Sequence, residues 1–380
     1  MAVVPIVQLF GIDIVRFSID LLTLYSLFLV VSLTLNLEAG YTGVPNFGKV
    51  MFVAAGAAAA GSASGQFAAL VLGVNTHGNY NGFIYQIIPQ IDAALSNNPW
   101  LSISLLLFGV LLAAAVGAVL GFAVSYPAIR LREDYLGMLL LAAAQFFQII
   151  LSGYEPIIGG TQGIEVPNVF GWFFGDVIGV RDVVFLLVLG VFALLVFLYC
   201  EKVVRSPLGR TLRAIRDNEL ASRSVGKNDV AIRRKVIIVA SAISGMAGAL
   251  LTFYLGSVGS ETWTRVTWTF WIWVIVILGG AANNAGVALG AFSFTFLLKA
   301  VDQVKFNFQP FIPIDVNWLE YIMFAALLIA ILAIRPEGML REKPTLTMPR
   351  SVLERIMESS VDPVENNQQG NHSARVDSAG

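Results

Sequence analysis

The chain has 380 residues, of which 57% are hydrophobic and only 13% charged, with a formal net charge of −1 and a mean hydropathy of +0.75. A soluble domain carries roughly 25% charged residues and turns most of its surface to water, so this composition excludes a soluble globular protein and points to lipid as the solvent. The near-zero charge, without a basic stripe on any polar domain, gives no footing for nucleic-acid binding.

Met1 to Ile14 lacks a basic region, and no A-x-A-like cleavage site follows the first apolar run. Residues 1–17 are therefore read as an N-terminal segment ahead of a retained first span. About 20 apolar residues are needed to cross the hydrocarbon. On that measure the sequence predicts about nine spans (eight to ten), near 18–37, 51–72, 101–125, 134–152, 183–200, 236–256, 268–282, 286–300 and 318–335. The expected fold class is all-α: a polytopic transmembrane helix bundle with broken or short helices over 18–341. A polar tail at 342–380, rich in Ser, Asn and Gln, is expected to be disordered.

The first break falls in a glycine-rich passage at 40–48, flanked by Glu38 and Lys49. The passage reads equally well as a simple interspan turn or as irregular backbone lining a path, since such backbone is tolerated at membrane depth only where it is buried or lines a cavity. Small residues crowd the spans at Ala54–Gly61, at Ala113–Gly121 and at Gly245-x-x-Gly248. Such spacing lets helix backbones approach closely, either as ordinary bundling or as helices around a narrow path. Well inside the spans the polar groups are Gln145 and Gln148, with charges such as Lys299 nearer the ends. A proton-driven carrier usually places ionisable groups at membrane depth, so the energy for transport is expected to come from elsewhere.

Read as one helix, 268–300 would be about 50 Å long at ~1.5 Å per residue, too long for a core of about 30 Å. Its middle, Leu278 to Gly286, is rich in helix-breaking residues and includes Gly279, Gly280, Asn283 and Asn284. Two short helices joined by a tight hairpin are predicted. Charge agrees: the segment 201–235 holds ten Lys or Arg against four Asp or Glu, and the stretch from Arg335 onward holds six more basic residues. Both are expected on the cytoplasmic side, which requires an even number of crossings between them; the hairpin supplies four. Counting backwards, the loop 153–180, with three acids and no Lys or Arg, falls outside. The loop 126–133, with Arg130 and Arg132, falls inside, and the loop 73–100, with neither Lys nor Arg, falls outside. The C-terminus is expected in the cytoplasm.

No Walker-type G-x-x-x-x-G-K-S/T run occurs, so the chain is not expected to hydrolyse ATP, and no Ser/His/Asp set, H-E-x-x-H or paired carboxylates suggest an enzyme. Cys200 lies in an apolar run and reads as a small buried hydrophobe. His77 and His372 have no ligand-spaced neighbours; neither a metal site nor a cofactor is expected in this chain. The basic segment contains an amphipathic stretch, Arg205 to Gly226, with Pro207 suited to a first helical turn and Gly226 to a helix end. It reads either as a basic loop that sets topology or as a docking helix for a soluble partner.

Five segments, in order, carry a family likeness: Leu35-Asn36-Leu37-Glu38-Ala39-Gly40-Tyr41-Thr42-Gly43-Val44-Pro45-Asn46-Phe47-Gly48; Leu131-Arg132-Glu133-Asp134-Tyr135-Leu136; Gly159-Gly160-Thr161-Gln162-Gly163-Ile164; Ser206 to Gly226; and Leu278-Gly279-Gly280 with Gly286, Gly290 and Arg335-Pro336-Glu337-Gly338. On these the chain resembles the permease subunits of branched-chain amino acid ABC importers, the LivM-like half of the LivH/LivM pair. It departs from the pattern at Asn46 (usually Ser), Lys49 (usually His), Ser222 and Asn283-Asn284. The resemblance implies a second permease subunit (LivH-like), two ATP-binding subunits and an extracytoplasmic substrate-binding protein. It implies that Ser206–Gly226 is the coupling helix, with Gly209, Arg213, Arg216, Glu219, Ala221 and Gly226 as coupling residues. Asn36, Gly40, Tyr41, Gly43, Asn46, Gly279 and Gly280 are then candidates for the translocation path. The substrate implied is a branched-chain or other apolar amino acid, with urea or short amides as rivals. An ATP-independent channel or secondary carrier is the competing class.

Overall fold

The computed structural model describes residues 8–9, 12–74, 80–131, 133–172, 180–308, 317–335 and 337–342. The predicted tail from residue 343, the start of the N-terminal segment (1–7), both histidines, Arg132 and Pro336 lie outside the described residues.

The chain opens with a short antiparallel pair, β1 (Gln8–Leu9) and β2 (Ile12–Asp13). Helices follow as α1 (Ile14–Leu35), α2 (Lys49–Leu72), α3 (Ile84–Asn97), α4 (Pro99–Arg130), α5 (Glu133–Gly153) and the short α6 (Glu155–Ile158). After β3 (Ile164–Glu165) come α7 (Val180–Arg205), α8 (Pro207–Asp217), α9 (Glu219–Ser224) and α10 (Asp229–Leu255). Then follow β4 (Ser257–Val258), α11 (Trp271–Gly279), α12 (Asn284–Phe308) and α13 (Asn317–Ile334). The chain is an all-α polytopic bundle; the only strands among the described residues are two-residue pieces, with β3 pairing β4 antiparallel.

Among the described residues, seven helical stretches are long and apolar enough to cross a membrane: Ile14–Tyr41, Lys49–Leu72, Pro99–Pro127, Asp134–Gly153, Val180–Arg205, Asp229–Leu255 and Asn284–Gln303. Of the other two predicted spans, 268–282 holds the shorter α11, nine residues extended at its start by a π-helical turn at Val266–Phe270, and 318–335 holds α13, which has 18 residues and is apolar from Tyr321 to its end at Ile334. The predicted hairpin is present: α11 ends at Gly279, α12 begins at Asn284, and Gly279 faces Gly286 too closely for any side chain between them.

The small-residue runs pack on one another. A Cβ on Gly56 would collide with the Gly245 carbonyl, one on Gly248 with the Val53 carbonyl, and one on Gly117 would lie 2.5 Å from the Ser241 carbonyl. Thus α2, α4 and α10 meet backbone to backbone, and the close approach that small residues permit accounts for the tight three-helix centre. Elsewhere aromatic side chains fill the core, with Phe28 edge-on to Trp268 and Trp271, and Phe294 stacked on Phe324 at 4.4 Å. Outward faces are apolar, as at Leu111, Leu187, Phe146 and Ile329, which suits lipid and not water.

One helix was not expected. The loop predicted at 73–100 contains α3, whose Ile84, Ile87, Ile88, Ile91 and Leu95 are buried at helical spacing beneath a polar outer face. Cys200 is buried and free, as its apolar setting suggested.

Candidate functional site

The first span does not stop where its hydropathy falls. It continues as a π-helical turn, Asn36–Tyr41, which shifts the hydrogen-bond register and frees polar groups for other partners. Within it the Glu38 carboxylate is 2.7 Å from the Lys49 ammonium, and both side chains are wholly buried. Asn46 donates to the same carboxylate at 3.1 Å, while Lys49 also donates to the Thr34 hydroxyl at 3.1 Å. The two charges that flank the glycine-rich passage thus form a buried ion pair, Glu38 near the end of the stretch Ile14–Tyr41 and Lys49 at the start of α2. It is paired and hydrogen-bonded, the condition under which buried charge is tolerated.

From this turn a polar chain runs to the hairpin tip. The Asn36 side chain donates to Asn284 Oδ1 at 3.0 Å and accepts from the Ala282 backbone N–H at 2.8 Å. Asn284 donates to Glu201 at the end of α7 (3.0 Å), and Asn283 donates to the Arg341 carbonyl (2.8 Å). The segment after α13 closes on the hairpin, with the Met339 and Leu340 N–H groups donating to the Leu278 and Gly279 carbonyls at 2.9 and 3.1 Å. Gly280 takes φ +104°, a conformation open to glycine, at the point where this segment crosses.

The amphipathic stretch is two helices, not one. Ser206 accepts from the Leu208 N–H to cap α8, with Pro207 in the first turn as expected. Asn218 is extended and its side chain accepts from the Ala221 N–H, which starts α9 afresh; an asparagine competes with the backbone in this way. Gly226, at φ +76°, follows the end of α9 as predicted.

The two faces of α8 and α9 have different partners. Gly209, Leu212 and Ile215 are buried, and Gly209 lies against Val204 of α7 with no room for a Cβ. Arg216 donates to the Gly40 carbonyl at 2.7 Å and to Glu342 at 3.0 Å, and its stem packs on Gly43 (φ +75°). Arg213 lies 3.3 Å from Glu342 and 5.2 Å over the Tyr41 ring. Burial works against charge on Arg216, but its hydrogen bonds to Glu342 and Asp217 outweigh it and raise its pKa further. Glu219 is held by Arg223 and Arg233. Outward, Leu208, Leu220 and Val225 are exposed, with Leu220 at 77%, beside exposed Ala221 and Gly226.

The sequence-predicted residues thus divide. Of the coupling set, Gly209, Arg213 and Arg216 face the membrane domain, Glu219 binds its own loop, and Ala221 and Gly226 face out. The path set, Asn36, Gly40, Tyr41, Gly43, Asn46, Gly279 and Gly280, converges with Arg216 on one packed junction. Sequence reasoning missed Glu201, Asn283, Asn284 and Glu342 as its partners. An asparagine doublet at the tip of an apolar hairpin was the visible signal. Among the described residues no group of three His, Cys, Asp or Glu is placed to hold a metal.

Residues 17–332 match the family described as "Branched-chain amino acid transport system / permease component". The chain is 35% identical over 349 residues to the probable branched-chain amino acid transport permease protein LivM of Methanocaldococcus jannaschii, covering 90% of this chain and 99% of that protein. It is 27% identical over 361 residues to the high-affinity branched-chain amino acid transport system permease protein LivM of Salmonella typhimurium (90% of this chain, 74% of that protein). It is 28% identical over 347 residues to the LivM protein of the same description from Escherichia coli (86% and 70%). No solved structure matches the chain. These relatives are transport permeases and not enzymes, and the match runs through every span described above. With its apolar helices and its inward-tied basic segment, the chain is a multi-pass membrane protein that belongs to the branched-chain amino acid transport permease family.

Proposed function

We propose that this chain is the membrane-spanning permease subunit of an ATP-driven importer for branched-chain and other apolar amino acids. It forms the translocation path with a second permease subunit, is powered by two ATP-binding subunits, and receives substrate from an extracytoplasmic binding protein. The observation that carries this reading is the division of α8 and α9. Their inner face is tied by Arg216 to the Gly40 carbonyl of the broken first span, and their outer face exposes Leu208, Leu220 and Val225 in a basic, non-spanning segment. Exposed large apolar side chains rimmed by charge mark a protein contact. A force applied to that outer face reaches the membrane domain through Arg216.

The basic segment and the C-terminus lie on the cytoplasmic side, in keeping with the excess of Lys and Arg at 201–235. The path residues at the junction close the inner end of the path in this conformation, and the Glu38–Lys49 pair, already neutralised within the fold, leaves the energy to come from the partner. Outward residues then make better coupling tests than Glu219, whose partners are internal. Leu220→Asp should cut ATP-driven uptake by about tenfold or more, the loss of one buried apolar anchor at an interface being worth roughly 1–3 kcal/mol. Protein inserted at normal levels but failing to co-purify with its ATPase is the expected result. Normal uptake by this variant would return the segment to a topology signal.

A further inference from the structure

At the end of the bundle opposite the basic segment two cavities adjoin. The outer one, of about 530 Å³, has polar walls that include Tyr80, Asn81, Ser152, Glu155 and the turn Gly159–Gly163. The other, of about 600 Å³, runs between α2, α4 and α5 and is almost wholly apolar. They share Gln66 and Pro156 as common wall. Each has the size usual for small-molecule sites.

The polar walls hold groups without partners. Tyr80 is 8% exposed; its hydroxyl sits against Gly65, next to Gln66, and has no hydrogen-bond partner among the described residues. Burial, with Asp92 nearby, raises the pKa of that hydroxyl, so it stays a proton donor. Asn81 donates to the Glu155 and Pro156 carbonyls at 2.9 and 3.1 Å, while its own buried Oδ1 accepts from nothing among the described residues. A buried polar atom left unsatisfied is costly and calls for a partner. The Glu155 carboxylate is exposed in a stretch, 153–180, that contains no Lys and has Arg181 only beyond its end.

Below, α2 presents Ala55, Ala59, Ser62 and Ala63 on one face of the apolar groove, opposite Val116 and Phe147. The small side chains of α2 leave the space, and the bulkier ones of α4 and α5 give it an apolar wall.

We propose that the two cavities form one substrate recess, in which Glu155 and Asn81 Oδ1 receive the ammonium of an α-amino acid, the Tyr80 hydroxyl receives its carboxylate, and the α2–α4–α5 groove takes the aliphatic side chain. The recess deepens the proposed import function and rests on it. It selects a zwitterion with an apolar branch over urea or a short amide, which has neither the charge for Glu155 nor the bulk for the groove. Side-chain length is read at Ala59, whose Cβ stands where a longer residue would fill the groove.

The test is ATP-driven uptake of labelled leucine and alanine by the whole importer in proteoliposomes, for the wild type, Ala59→Leu and Glu155→Gln. Ala59→Leu is expected to lower kcat/KM for leucine about tenfold relative to alanine, the usual worth of a mismatched methylene or two. Glu155→Gln is expected to weaken both about tenfold, because the ammonium then meets a neutral amide in place of a charge-assisted hydrogen bond. ATPase stimulation by the loaded binding protein is measured alongside uptake, to separate docking of that protein from passage of the substrate. An unaltered leucine-to-alanine ratio in Ala59→Leu, with Glu155→Gln at wild-type rates, overturns the recess and leaves the importer reading intact. Loss of stimulation in Glu155→Gln, with the Ala59→Leu ratio unchanged, overturns it too and makes the outer walls a docking surface for the binding protein. If the wild type takes up neither amino acid, the importer reading fails. Equilibrium binding of labelled leucine to the purified chain then decides the recess: binding weakened about tenfold by Glu155→Gln sustains it, and no binding, or binding unchanged by Glu155→Gln, overturns it.

Discussion

Lys49→Met should destabilise the folded chain by about 3–5 kcal/mol, the typical result of removing one partner from a buried ion pair. Glu38 would keep Asn46 as a neutral donor but lose the Lys49 cation, while remaining wholly buried. Methionine fills most of the lysine stem, so packing loss is a small part of the effect. Thermal unfolding in detergent should show the drop, together with lower protein levels in the membrane. The double variant Glu38→Gln with Lys49→Met should recover most of it, because no uncompensated charge is then left. Equal stability for wild type and Lys49→Met would show that Glu38 is neutral or hydrated, and would remove the ion pair from the account of the junction.

Arg216→Met should act on transport more than on folding. The side chain joins three elements, donating to the Gly40 carbonyl, to Glu342 and to Asp217. Deleting the guanidinium leaves Glu342 with Arg213 and leaves the Gly40 carbonyl without its charged donor. Each hydrogen bond to a charged group is worth about 1.5–3 kcal/mol, so uptake should fall by roughly 10–100-fold if these bonds carry the coupling. The ATP-binding subunit should still bind, since the contact face proposed for it is the exposed side of α8 and α9. Arg216→Lys should rescue only in part, because an ammonium is a point charge that cannot serve carbonyl and carboxylate with the fork of a guanidinium. Wild-type uptake by Arg216→Met would place the transmission elsewhere in the loop.

The features legible in the sequence were those set by composition, length and local chemistry. The membrane class followed from the missing charge, and the hairpin at 278–290 followed from a helix too long for the bilayer and a glycine-rich middle; the break lies between Gly279 and Asn284. Pro207 and Gly226 marked helix ends because their backbone limits are local. Partnership was less visible. Glu38 and Lys49 are 11 positions apart across a turn, at a spacing that is neither helical nor extended, so their ion pair could not be read as a pair. Arg213 and Arg216 were coupling candidates on the strength of the family likeness, whereas Glu342, 126 positions beyond Arg216, draws them inward. The α3 helix was hidden for a different reason. Its isoleucines do recur at helical spacing, but Pro89 within it and the absence of a capping side chain removed the usual signals. Asn218 divides α8 from α9 by capping, a choice between two hydrogen-bond partners that the sequence pattern left open.

The most direct test is solute accumulation in sealed vesicles that hold this chain alone or with the proposed partner permease, ATP-binding subunits and binding protein. The complete set should concentrate labelled leucine only when ATP is supplied on the side of α8 and α9, and the chain alone should concentrate nothing under any proton or sodium gradient. Accumulation by the chain alone would contradict the account and identify a self-sufficient carrier.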